Sequence, residues 1–146
     1  MVILTLTLPR ILFMKSFFDW INENTYNSQA TVLYGPGIRM IAEVDQELSE
    51  YYRSLIPKYY NVKPQRYKCH ITIVRTGIET PTNMEFWGKY QDQKISFSYS
   101  PIIQNDGTYF WLDAYSSDIE KIREELGLPK YRKDRKEYHI TIANIK

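Results

Sequence analysis

His70-Ile71-Thr72-Ile73 and His139-Ile140-Thr141-Ile142 are the same tetrapeptide, and together they hold both histidines of the chain. At this chain's Ile and Thr content, Ile-Thr-Ile follows a chosen residue by chance on the order of once in a thousand, so the repeat is a signal. Side chains alternate faces along a strand. His70 and Thr72 therefore share one face and Ile71 and Ile73 the other, and the second copy divides the same way. Each copy reads as a strand with an apolar back and a reactive front. Two such fronts turned toward each other would set two imidazoles and two hydroxyls around one small anion.

Working outward, each copy has similar surroundings. A strand and a helix are followed by Ile56-Pro57-Lys58, a basic loop and His70. Another strand and helix are followed by Leu128-Pro129-Lys130, a charged loop and His139. Proline after a helix is common, but the shared order of elements points to an internal duplication. The first strand is expected at residues 2–8 and a helix at 16–24. Strands follow at residues 30–34 and 38–44, joined by a turn at Gly35-Pro36-Gly37 whose spacing is not that of a phosphate loop. Asp45 caps a helix over 46–56. The first motif strand spans 69–75, and a short helix is expected at 83–91. Alternation predicts a strand at 94–100, and Asn105-Asp106-Gly107 predicts a hairpin into 108–115. A helix at 118–126 is stopped by Gly127, and the second motif strand spans 138–145.

With 43% hydrophobic and 25% charged residues the chain has an ordinary globular composition. A net charge of +2 does not suit bulk binding to duplex DNA. The single cysteine, Cys69, allows neither an internal disulfide nor a cysteine-rich zinc site, and next to His70 it points to the core. The most apolar stretch, residues 2–14, is too short and interrupted for a membrane span. It also lacks the features of a signal peptide. A cytoplasmic monomer is expected, in a host's cytoplasm if a phage encodes it.

Two histidines suit phosphoryl transfer without a metal or cofactor. One neutral ring takes a proton from an attacking hydroxyl, and the other, protonated, gives one to the leaving oxygen. Thr72 and Thr141 can donate to non-bridging phosphate oxygens. A zinc hydrolase needs a third protein ligand, and a serine or cysteine hydrolase would leave one histidine idle. Structural histidines are the plainest alternative, and the repeated frame weighs against them. Lys58, Lys63, Arg66 and Lys68 precede one motif; Lys130, Arg132, Lys133, Arg135 and Lys136 precede the other. They form an electropositive rim or merely solvated loops. Arg75 is expected beyond the reacting front. The 13 tyrosines serve packing or base stacking, with Tyr34 and Trp111 chosen for the latter.

Paired His-x-Thr motifs half a chain apart resemble the 2H phosphoesterase superfamily. It includes LigT-like RNA 2′,3′-cyclic phosphodiesterases, 2′-5′ oligoadenylate phosphodiesterases and phage anti-CBASS nucleases that destroy cyclic oligonucleotide immune signals. The resemblance rests on His70, Thr72, His139 and Thr141, and on the aliphatic residue after each pair. It implies an α+β fold in which residues 1–146 form a single bilobal domain. Two pseudo-symmetric lobes, each a small antiparallel sheet with helices outside, would enclose a V-shaped cleft. Residues 1–25 would complete the second lobe. It also implies metal-independent cleavage of a phosphodiester beside a ribose hydroxyl in a small nucleotide, such as a cyclic oligonucleotide, a 2′-5′ oligoadenylate or a 2′,3′-cyclic phosphate. Which histidine is base and which acid stays open. The rivals are a module that binds a nucleotide or RNA in the same cleft without turnover, and an RNA-binding partner protein.

Overall fold

Among the described residues the chain runs β1 (Tyr26–Gly35), β2 (Arg39–Glu43), α1 (Gln46–Ser54), β3 (His70–Val74), β4 (Lys94–Asn105), β5 (Tyr109–Tyr115), α2 (Ser117–Glu125) and β6 (Tyr138–Asn144). The structure is a computed structural model that describes residues 25–132 and 137–146. The strand and helix expected at residues 2–8 and 16–24, their role in the second lobe, and Lys133, Arg135 and Lys136 lie outside the described residues.

Local chemistry sets most boundaries. Asp45 caps α1, its Oδ1 accepting from the Glu47 amide at 3.0 Å. Ser116 caps α2 through the Ile119 amide at 3.1 Å, so the helix starts at Ser117, one residue before the expected 118. In the turn after β4, Asn105 Oδ1 accepts from the Gly107 amide, and Asp106 Oδ1 accepts from the Thr108 and Tyr109 amides. The expected β4–β5 hairpin follows, with Asn105 opposite Phe110. At residues 83–91, by contrast, only a single 3-10 turn forms, Met84–Phe86. Gly88 adopts φ +89, which ends any helix there. The segment is instead tied to the end of α2: Asn83 donates to the Glu125 carbonyl, and Lys89 and Tyr90 both reach the Glu125 carboxylate at 2.7 Å.

The six strands close into one antiparallel barrel in the order β1-β2-β3-β6-β5-β4. This corrects the expected two-lobed α+β architecture. β3 pairs with β6, so the two motif strands are neighbours in a single sheet. β1 pairs with both β2 and β4, which closes the ring. The helices also cross between halves. Arg53 of α1 donates to the Ile142 carbonyl of the second motif strand, and Arg123 of α2 donates to the Ile73 carbonyl of the first. Each helix thus anchors the motif strand of the other half, and no independent lobe remains.

Ile71, Ile73, Ile140 and Ile142, the backs of both motifs, are buried with Val32, Ala42 and Leu112 from neighbouring strands. Tyr52 and Ile56 of the α1 region and Ile119, Ile122 and Leu126 of the α2 region share this cluster. The positions Ile119, Ile122 and Leu126 fall on one helical stripe. The apolar face of the motif strands therefore meets the helices, which leaves the opposite face for His and Thr.

Candidate active site

Register decides what the histidines face. Ile71 is the cross-strand partner of Ile140. Continuing that antiparallel register sets His70 beside Thr141 and Thr72 beside His139, all four on the face turned from the core. The two histidines are then a diagonal pair, with spacing of about 7–8 Å expected for such neighbours. Two imidazoles reaching inward from that spacing span a tetrahedral anion. All four side chains are half-buried and line one cavity of about 610 Å³, within the size of a small-molecule site.

The outer strands extend this grid. Glu43 of β2 stands opposite His70 and Ile41 opposite Thr72. Asp113 of β5 stands opposite His139 and Trp111 opposite Thr141. Each histidine therefore has an acidic residue across from it on its outer neighbour. Asp113 also accepts from the Trp111 indole at 3.2 Å, which fixes the ring. Neither carboxylate is picked out by the sequence reading. Both sit at alternating positions on polar strand faces, but only register reveals which residue each faces.

His70 Nδ1 lies 2.7 Å from the Lys68 carbonyl. A carbonyl only accepts, so Nδ1 carries the hydrogen and Nε2 holds the lone pair. Burial holds the His70 pKa below the ordinary imidazole value. The Lys68 carbonyl opposes that shift, Arg39 adds to it, and Glu43 also opposes it. The neutral ring is thus favoured at neutral pH.

Trp111 lines the cavity, joined by Tyr67 and Tyr109, which the sequence reading does not single out. Tyr34 is not among the lining residues. Its ring packs edge-on against Trp87 at 4.8 Å and its hydroxyl accepts from the Tyr90 amide, so it braces the 84–93 segment. The positive wall also differs from expectation. Arg39, Arg75 and Arg132 line the cavity, whereas Lys58, Lys63, Arg66, Lys68 and Lys130 do not. Lys63 reaches the Lys146 carbonyl, and Lys130 lies 3.7 Å from Glu120. Arg75 belongs to the site after all, because the cavity continues past Thr72 along β3. Arg123 touches the same wall but is 1% exposed and committed to Glu79 and to the Ile73 and Pro129 carbonyls.

Cys69 is buried, and burial pushes its thiol up to about 11, as fits a core residue and not a nucleophile. Among the described residues no three His, Cys, Asp or Glu gather where they could hold a metal ion. No helix among them is long and apolar enough to cross a membrane. Comparison with known proteins gave no matching family model, no matching curated protein and no matching solved structure.

Proposed function

We propose that this protein is a phosphodiesterase of the 2H type, acting as a cytoplasmic monomer on a small nucleotide and cleaving a phosphodiester beside a ribose hydroxyl without a metal. The observation that carries this reading is the placement of His70, Thr72, His139 and Thr141 on one face of two paired strands, around one cavity. A core role for the histidines would instead bury them among the isoleucines on the other face.

The tautomer of His70 divides the labour. Its Nε2 lone pair takes the proton from the attacking water or 2′-hydroxyl as the oxygen–phosphorus bond forms. His139, on the paired strand, is then the acid. It gives its proton to the leaving oxygen as the second oxygen–phosphorus bond breaks. Such steps contribute roughly 10²- to 10⁴-fold each. The Thr72 and Thr141 hydroxyls donate to the non-bridging oxygens, where charge develops. Trp111, across from Thr141, offers a face to a base.

The test is a screen of cyclic di- and trinucleotides, 2′-5′ oligoadenylates and RNA ends bearing a 2′,3′-cyclic phosphate, read by mass spectrometry in the presence of EDTA. At least one substrate should be cut. His70→Ala and His139→Ala should each lose about 10²-fold or more in kcat while remaining folded by circular dichroism. Ligand bound and recovered unchanged throughout would leave a binding module instead. Full activity in either variant, or a strict metal requirement, would reject the mechanism.

A further inference from the structure

Two arginines converge on one tyrosine at the edge of the cavity. The guanidinium carbon of Arg39 lies 5.6 Å from the centre of the Tyr67 ring, and that of Arg66 lies 5.8 Å from it. Tyr67 and Arg39 line the cavity that holds His70, and Arg66 stands just outside the lining, on the Tyr67 ring. Tyr67 is 57% exposed, so the assembly faces solvent and is open to a ligand. Arg39 is seated from below: its aliphatic stem rests against Gly35, where an added Cβ would stand 3.5 Å from its Cδ. The charge of Arg39 is felt at His70.

Three cations among the described residues are answered by carboxylates. Arg123 is paired with Glu79, Lys89 with Glu125 and Lys130 with Glu120. Neither Arg39 nor Arg66 makes an ion pair with a carboxylate among the described residues. Gathering two like charges at one ring is unfavourable unless something negative answers them. The ring's electron-rich face answers in part, and an anion would answer fully. Guanidinium groups match phosphate with two parallel hydrogen bonds. The phosphate being attacked already has its donors in Thr72, Thr141 and the imidazoles. The arginine pair is surplus to it.

We propose that Arg39 and Arg66, held on the Tyr67 ring, form a second phosphate subsite beside the histidines, so that the substrate is an oligonucleotide carrying a phosphate next to the one attacked. The substrate assignment rests on the phosphodiesterase reading, whereas the subsite itself is tested without turnover. A thymidine dinucleotide lacks the 2′-hydroxyl and is not cut by attack from that group. Its binding is measured by calorimetry with bare ends, with a 5′-phosphate and with a 3′-phosphate. A terminal phosphate at one end should tighten binding by about tenfold or more, and the end that does so gives the polarity of the bound strand. Arg39→Ala with Arg66→Ala should erase that increment, and the matching double lysine variant should restore part of it. Equal affinity of the unaltered protein for all three forms overturns the subsite, as does failure of all three to bind. A gain that survives the double alanine substitution overturns it as well. If the increment is found and no ribonucleotide is cut, the subsite stands and the phosphodiesterase reading falls.

Discussion

The Lys68 carbonyl, 2.7 Å from His70 Nδ1, does at the scale of one residue what the tetrapeptide does not do by itself: it fixes which ring nitrogen of His70 is basic. With Nδ1–H so engaged, Nε2 is the basic atom, and burial keeps the ring neutral. The pH consequence has a definite sign. The His70 pKa in the folded protein lies below the free imidazole value of about 6.5, so the ring stays neutral as pH falls through that value. The acidic limb of a kcat/KM profile should therefore lie below pH 6.5, and a limb at or above pH 7 would count against His70 as base. The same shift means the unfolded chain binds more protons near this pH. Stability from this residue is present above about 6.5 and lost as pH falls. That each His shares a face with its Thr was legible in sequence, because residues two apart on a strand point the same way. Glu43, Asp113 and the Lys68 carbonyl were not. Which residue stands across from a histidine is a matter of register between strands, and no local pattern states it.

At the scale of elements, α2 shows how much a cap can do. Gly127 has φ +81, its amide bonds to the Glu124 carbonyl, and the Leu128 amide bonds to the Arg123 carbonyl at 2.8 Å. These are the paired bonds of a Schellman ending. A Cβ on Gly127 would collide with the Thr82 hydroxyl. Gly127→Ala should cost at least ~1 kcal/mol from the left-handed backbone alone, read as a lower midpoint of urea unfolding. Thr82→Ala in that background should recover part of the loss. One turn earlier, Arg123 joins β3, the 129–131 segment and Glu79 in a buried ion pair. Arg123→Ala leaves Glu79 without its partner and should cost about 3–5 kcal/mol by the same measurement. A loss below ~1 kcal/mol would mean the pair is not a tie between halves. The ending of this helix was legible from Gly127 and Pro129. The failure of the helix at 83–91 was legible only in part: Gly88 inside it takes φ +89 and ends it, while the ties to Glu125, thirty-odd residues on, are drawn in only by the fold.

For the whole molecule, the difference between two lobes and one ring lies in a few long-range pairings. Alternation in the fourth strand stops at Ser100, before Pro101. β4 instead runs on to Asn105 through an irregularity between Tyr99 and Ile103, where proline is tolerated. β1 begins at Tyr26 and pairs along Tyr26–Thr31 with Tyr99–Lys94, through Asn, Ser and Gln that carry little strand signal. The extra length of β1 closes the barrel, that of β4 lengthens its ladder with β5, and polar residues hid both. The β3–β6 pairing in the middle of this order sets both histidines on one sheet, and closure at β1–β4 leaves that sheet no free edge. The chain's two histidines make this testable by proton NMR, since each imidazole gives its own signal and the two alanine variants assign them. In a titration with inorganic phosphate, both signals should shift along a single saturation curve, and Thr72→Val with Thr141→Val should weaken that binding. Movement of only one signal, or of two with different saturation points, would contradict a shared phosphate site.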